Sequence, residues 1–275
     1  MARGSVMVVP AEADAAPRLS ERPEGRYVYG IIGSLPLEPM VKSTLSGPGA
    51  EVYAIDYGDI AAVVSRTPTF IFDPTREHAL AHEHVIETVM KNHTIIPMSF
   101  GTVFRTDEDV RAVLRTIYPT LKTLLEQMEG KVEFGLKVTW DRDRIIEELK
   151  RGHDEIRRFH QELTRKGLQS AYFARMQLGR MIDKALAELA TSYIQSVYDG
   201  LRPLAVASHD SKPIGDKMIL NAAFLVARNR ESEFDATVNR VADKLGDRLN
   251  IKATGPWPPY NFVNVHLKLE PGRRD

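Results

Sequence analysis

Two histidines four residues apart, His78 and His82 in "HALAHEH" (78–84), have a spacing that can do chemistry. On a helix, positions four apart share a face, and two imidazoles there can reach one metal ion. The zinc-protease form of that arrangement is His-Glu-x-x-His, with the glutamate as base. Here the chain reads "HEHVIE" (82–87) and His84 falls on a different face from His82, so that signature is absent. The competing reading is a set of histidines at the rim of an apolar face, bonded to backbone or water. A second candidate is "DRD" at 141–143, directly after a strand-like segment. Paired aspartates there can hold a metal that carries a phosphorylated substrate. Equally, Asp141 can cap the next helix and Asp143 can sit in its first turn, where the helix dipole favours both.

The remaining chemistries are absent. The chain has no cysteine, which removes disulfides, thiolate nucleophiles and cysteine-ligated zinc, and fits a reducing cytoplasm. "YGIIGS" (29–34) does not match Gly-x-Gly-x-x-Gly, and neither a P-loop nor a Gly-x-Ser-x-Gly elbow occurs. Lys and Arg total 37 and so do Asp and Glu, so no global field draws the protein to nucleic acid or an anionic membrane. The longest apolar runs, such as "AAFLVA" (222–227), fall far below the ~18 residues of a membrane span. The N-terminal residues lack the apolar segment of a signal peptide. The reading is therefore no catalytic residue, no cofactor site, no metal site, and an expectation that the protein is not an enzyme.

The elements that would position these residues follow from periodicity. Residues 26–33 form a strand, and 51–67 form two strands joined at "DYGD", where Gly58 can take the positive φ of a tight hairpin. Residues 75–92 show helical periodicity, with His78, His82, Val85, Ile86, Val89 and His93 on one face. "TIIPMSFGTVF" (94–104) reads as one strand, held to an edge or a bulge by Pro97. Thr106 caps a helix running towards Tyr118, where Pro119 kinks it or starts another, and Gly130 ends it. In the second half, 131–140 is a strand, "DRDRIIEEL" a short helix, and 153–199 helical with a break near Gly167. Ile156, Phe159 and Leu163 form one apolar stripe. Tyr172, Phe173, Met176, Ile182, Leu186, Leu189, Tyr193 and Val197 form another, and Tyr172, Phe173 and Met176 are assigned to the core, the alternative being that an exposed part of them receives a partner helix. Basic residues such as Arg157, Arg158, Arg165, Lys166 and Arg175 read as a solvated face. Strands at 202–208 and 218–228, a helix from Arg230 and a last strand at 250–263 complete the chain.

The fold class is thus α+β in two domains. Residues 1–25 are a disordered tail, 26–130 an N-terminal α+β domain, 131–265 a C-terminal domain, and 266–275 a C-terminal tail. The order β, helices, β, β, α, β in the second domain is that of a modified ferredoxin-like domain with an inserted helical extension at about 153–199. "GPWPPYNFV" (255–263) holds one of only two tryptophans among three prolines. It is read as structural: Gly255 and Pro256 turn the chain into the last strand, Trp257 packs at the domain junction, and Pro258 and Pro259 stiffen an extended approach. The rival reading leaves Trp257 exposed as a partner anchor.

Two stretches, "IIPMSFGTVF" (95–104) and "TGPWPPYNFV" (254–263), resemble the most recognisable motifs of the gas vesicle protein F/L family. "YVYGII", "VYAIDYGDIAAVVS", "HEHVIE", "VEFGLKV" and "LNAAFLVAR" agree in order, so the resemblance spans roughly residues 26 to 265. Ser99 departs from it, standing where the family pattern carries a basic residue, which weakens an anion-binding role for this strand end. The resemblance implies a non-enzymatic accessory or minor structural protein at the gas vesicle, in the cytoplasm. It would support assembly by contacting the major shell protein and other gas vesicle accessory proteins, with neither nucleic acid nor membrane as partner. On the motif residues it implies that Pro97, Phe100, Gly101, Gly255, Pro256, Trp257, Pro258, Pro259 and Tyr260 make partner or interdomain contacts. The alternative class is a ferredoxin-like enzyme or sensor that binds a small ligand or metal.

Overall fold

The computed structural model describes residues 24–33, 42–45, 49–165 and 171–263. The two tails lie outside these residues except for Glu24 and Gly25, as does the break expected near Gly167. The chain forms two compact units. One takes the chain through Lys131 and again from Trp257, and the other is Val132–Pro256. Within each, helices and strands are mixed.

The first unit is built on β1 (Gly25–Gly33), whose "YVYGII" is buried along nearly its whole length. That near-continuous apolar run belongs to a central strand covered on both faces. Beside it lie β2 (Lys42–Ser43), β3 (Ala50–Tyr57), β4 (Ile60–Thr67), β5 (Ile95–Pro97) and β6 (Val103–Phe104). The sheet runs β2-β3-β4-β1-β5, with β6 also paired to β1. β3 and β4 meet across Gly58 and Asp59, and Gly58 takes φ +63. Helix α1 (Arg76–Met90) packs His82, Val85, Ile86 and Val89 inward.

Helix α2 (Asp107–Met128) starts at a reciprocal capping box between Thr106 and Asp109 and bends at Ile117, two residues before Pro119. Proline cannot donate the helical hydrogen bond and its ring crowds the preceding turn, which accounts for the bend.

A bulge in β1 decides which side chains meet which helix. Val28 pairs with Val64 and Gly30 with Val63, leaving Tyr29 as the extra residue. The parity of the strand therefore shifts by one. Tyr27 and Tyr29 both reach the α1 side, where each ring lies against His82. Val28 and Ile31 both turn to α2, where they meet Val110, Leu114 and Leu121. Gly30 is required here, because a Cβ would sit 2.6 Å from the Ile95 side chain and 2.8 Å from the Ile96 carbonyl.

The stretch 94–104 is not one strand. β5 pairs with Gly30–Ile32 and β6 with Arg26–Tyr27, and residues 98–102 turn between them. Two local features force the split. Pro97 gives the ladder no N–H, and Gly101 takes φ +82, a conformation that a strand does not use.

The second unit contains β7 (Lys131–Trp140), α3 (Arg142–Gly152), α4 (Asp154–Arg165), α5 (Ala171–Leu201), β8 (Ala205–Ser211), β9 (Met218–Ala227), α6 (Glu231–Leu245) and β10 (Leu249–Trp257). The sheet order is β10-β7-β9-β8. Phe134 of β7, Phe224 of β9 and Phe234 of α6 form the ring core, with centroids 5.0 and 5.6 Å apart. Gly200 lets α5 approach α6 closely, since a Cβ would fall 2.7 Å from Val241. A second core joins Trp140, Ile145, Ile156, Ile182, Ala185, Leu186 and Tyr193, so α3 and α4 pack on the middle of α5.

Two strand boundaries differ from expectation. Residues 202–204 form a single 3-10 turn and the strand starts at Ala205, because Pro203 cannot donate to a ladder. The last strand stops at Trp257, before Pro258 and Pro259. Gly255 and Pro256 therefore lie inside its final three residues, and do not turn the chain into it. Gly255 has φ +133, and the Gly255–Pro256 peptide is cis.

Candidate functional site

The first motif closes over the aromatic side of β1 through main-chain atoms. Gly101 donates its N–H to the Tyr27 hydroxyl at 3.0 Å, and Tyr27 lies 2.9 Å from His82 Nδ1. His82 Nε2 is 3.2 Å from the Met98 carbonyl. A carbonyl only accepts, so Nε2 carries the proton, Nδ1 accepts, and the Tyr27 O–H donates to it. One sequence of donors and acceptors thus runs from Gly101 through Tyr27 and His82 to Met98. Phe100 sets its ring edge-on to His82 at 5.8 Å, and Phe72 sets its ring against Tyr27 at 5.0 Å. Tyr29 donates to Ser43 at 2.7 Å and also bonds Ser65 at 2.9 Å.

This environment keeps His82 neutral. Burial pushes its pKa down from 6.5 to about 4, opposed by the hydrogen bond to Met98. Burial likewise pushes the Tyr27 phenol up; the Gly101 N–H opposes it, and the Tyr29 and Tyr260 phenols add to it. Both nitrogens of His82 are committed to protein partners, which leaves no lone pair for a metal. His78 shares the face but uses Nδ1 on the Asp73 carbonyl at 2.9 Å. His84 is exposed on another face. Among the described residues, no group of three or more His, Cys, Asp or Glu is placed to hold a metal. Asp141 accepts from the Arg144 N–H at 3.2 Å and caps α3, with Asp143 in the first turn.

The second motif enters the same unit. The chain from Trp257 onward belongs with β1 and α1. Pro258, Pro259 and Val263 are buried, Trp257 is half-buried, and Tyr260 is exposed. Tyr260 N–H donates to the Pro258 carbonyl at 2.7 Å and Phe262 N–H to Pro259 at 3.1 Å, so a tight turn follows the prolines. Phe100 and Gly101 meet Tyr27, and Tyr260 lies in its electrostatic neighbourhood. Pro97 is the buried end of β5 on the neighbouring strand pair. Gly255 and Pro256 are exposed at the end of β10, in the other unit, and do not join this group.

An apolar cavity of about 20 Å³ lies between β1, β4 and α2, lined by residues including Val28, Ile31, Phe104 and Leu114. That is room for about one water and for no organic ligand.

One surface runs against expectation. Tyr172, Phe173 and Met176, assigned to the core from periodicity, are 71%, 76% and 41% exposed. Their stripe belongs to the outward side of α5, whereas Ile182, Leu186, Tyr193 and Val197 of the same expected stripe are buried. Among the described residues, no element of the second unit covers Tyr172, Phe173 and Met176, so apolar periodicity there marks a face without covering it. Phe159 and Leu163 on α4 are half-buried. A signal for this surface stands in the sequence. No carboxylate occurs between Glu162 and Asp183, while Arg165, Lys166, Arg175 and Arg180 do.

A family model described as gas vesicle synthesis protein GvpL/GvpF matches residues 25–264. Gas vesicle protein F1 of Halobacterium salinarum is 31% identical over 251 residues, covering 90% of this chain and 96% of its own. Gas vesicle protein F of Haloferax mediterranei is 28% identical over 251 residues, covering 90% and 97%. The crystal structure of GvpF from an Anabaena species superposes with a TM-score of 0.80 at 25% identity, covering 89% of this chain and all of that one.

Proposed function

Because the chain belongs to the GvpL/GvpF family of gas vesicle synthesis proteins, we propose that it is an accessory or minor structural protein of gas vesicle assembly that works by binding other polypeptides. Its partners in this reading are the major shell protein and other accessory proteins, met at the gas vesicle in the cytoplasm. The reading assigns it no catalysis, no nucleic acid and no bilayer; among the described residues, no helix is long and apolar enough to cross a membrane.

One observation carries the reading. The polar atoms brought together by the first family motif are consumed inside the fold, on Tyr27 and His82, while large apolar side chains of α5 stand in solvent. Buried hydrogen-bonded groups hold a scaffold, and an exposed apolar cluster is what a scaffold offers a partner. The physical need is plain, since a shell subunit exposes apolar surface before assembly and something must cover it. Two surfaces are suited to covering it. One is the edge of the first sheet at β5, by strand addition, and the other is the helices of the second unit, by helix docking. We further take the two compact units as domains, the second a ferredoxin-like domain enlarged by α3 to α5. Its β-α-β-β-α-β order and its sheet order support this.

The experiment is a pull-down with the major shell protein on the full chain. Recovery of the shell protein is expected. Failure to recover it, under conditions where other accessory proteins do bind it, removes the reading.

A further inference from the structure

Helix α5 is 31 residues long, about 46 Å at 1.5 Å per residue, and changes character along its length. From Leu178 onward it is fastened on its inner side, first to α3 and α4 and then to α6 and β9. Before that point it presents Tyr172, Phe173 and Met176 outward. At 100° per residue these three and Arg180 lie within an arc of about 100°. Leu178, Ile182 and Ala185 point to the opposite side. The Tyr172 and Phe173 rings meet edge to face at 5.6 Å, which gives the patch a defined shape in place of two loose side chains.

The charge around this patch departs from the rest of the molecule. The chain is neutral overall, yet the interval from Glu162 to Asp183 holds four cations and no carboxylate within it. Among the described residues, no carboxylate pairs with Arg165, Arg175 or Arg180. Some exposed arginines elsewhere, Arg144, Arg157 and Arg230, do have partners three or four residues away along the chain. An apolar cluster flanked by unpaired cations is complementary to an apolar cluster flanked by carboxylates.

The rival occupants fit less well. A second copy of this chain would bring the same cations to the same place, and like charges oppose that pairing. A bilayer surface asks for an apolar stripe sustained along a helix. Here the exposed positions that follow Met176 are Gln177, Arg180, Asp183 and Lys184, so the apolar surface ends after about two turns. That length suits one or two large side chains of a crossing helix.

We propose that the first two turns of α5 dock an amphipathic helix of a partner protein, with Tyr172, Phe173 and Met176 covering its apolar stripe and Arg175 and Arg180 meeting carboxylates at its border. This rests on the assembly reading above and narrows it to one surface and one partner chemistry.

The test uses the full chain and, as probe, the major shell protein fused to a soluble carrier. Two variants are compared with wild type: Tyr172→Ser/Phe173→Ser/Met176→Ser, and Arg175→Glu/Arg180→Glu. All five positions are exposed, so both variants should keep the wild-type far-UV circular dichroism and Tm. Each should bind the shell protein at least about tenfold more weakly. Raising salt from about 50 to about 500 mM should weaken wild-type binding and leave the charge-reversed variant little changed. Replacing the shell protein's helix-border carboxylates with lysine should restore binding to Arg175→Glu/Arg180→Glu. Wild-type affinity in both variants would overturn this site and leave the assembly reading standing. A shell protein that binds neither wild type nor variants would overturn both. Binding of wild type to vesicles of roughly one-third phosphatidylserine, lost in the variants while shell-protein binding persists, would assign the patch to lipid and overturn the proposal.

Discussion

Met98 and Gly101 reach His82 and Tyr27 through a carbonyl and an N–H, so the first motif acts here through the path of its backbone. Ser99 is exposed between them, which agrees with a position whose side chain the hydrogen-bonded path does not use. Gly101 matters for its φ of +82, which a side chain would strain. The cost of this arrangement is a neutral imidazole under cover. His82 has its pKa lowered from 6.5 to about 4, so between those values the unfolded chain binds a proton that the folded chain refuses. Stability from this group is therefore complete above about pH 6.5 and declines as pH falls towards 4. At 1.36 kcal/mol per unit the loss amounts to about 3 kcal/mol. Urea unfolding at a series of pH values should show that decline. In His82→Gln, which does not titrate, the slope over this interval should flatten while stability at pH 7 falls, because the Tyr27 and Met98 contacts are disturbed. A slope equal to wild type would mean that other groups set the acid response.

Among the elements, α2 shows how far local rules reach. Thr106 accepts from the Asp109 N–H at 3.1 Å and Asp109 accepts from the Thr106 N–H at 3.1 Å, a reciprocal cap written in four consecutive residues. Thr106→Ala should cost about 1 kcal/mol of unfolding free energy, measured in urea without a change of m-value. A loss below about 0.3 kcal/mol would show that packing on the sheet alone holds the helix. Features of this kind were legible in the sequence: the Gly58 hairpin, the kink before Pro119, the Asp141 cap and the strand-helix order of the second unit all depend on neighbours in the chain. Other features depend on distant partners. The turn inside 94–104 has local breakers in Pro97 and Gly101, but its place is set against β1, which pairs with both short strands and whose Tyr27 accepts from Gly101, 74 residues away. The outward face of α5 is read as core from periodicity for a related reason. Periodicity at Tyr172, Phe173 and Met176 identifies a face, but only a second element lying over it makes that face core, and among the described residues of its own unit none does so.

At the level of the whole molecule, the chain leaves the first unit at Lys131 and comes back to it at Trp257. The returning segment brings Pro258, Pro259 and Val263 into buried positions, and Tyr260 into the electrostatic neighbourhood of Tyr27. A terminus with buried apolar groups is fastened, each large one contributing about 1.5–3 kcal/mol. Ending the chain after Pro256 should therefore destabilise the unit that contains β1 while sparing the unit that contains β7. The two tryptophans make this separable, since Trp257 is removed and Trp140, only 7% exposed in the second unit, becomes the sole reporter. Measured against a chain ended after Val263, the shorter chain should lose hydrogen-exchange protection along β1 and β4. The unfolding midpoint read by Trp140 fluorescence should stay put. Equal protection of β1 in both chains would show that the first unit closes without the proline turn. A shift of the Trp140 midpoint as large as the loss at β1 would show that the two units unfold together.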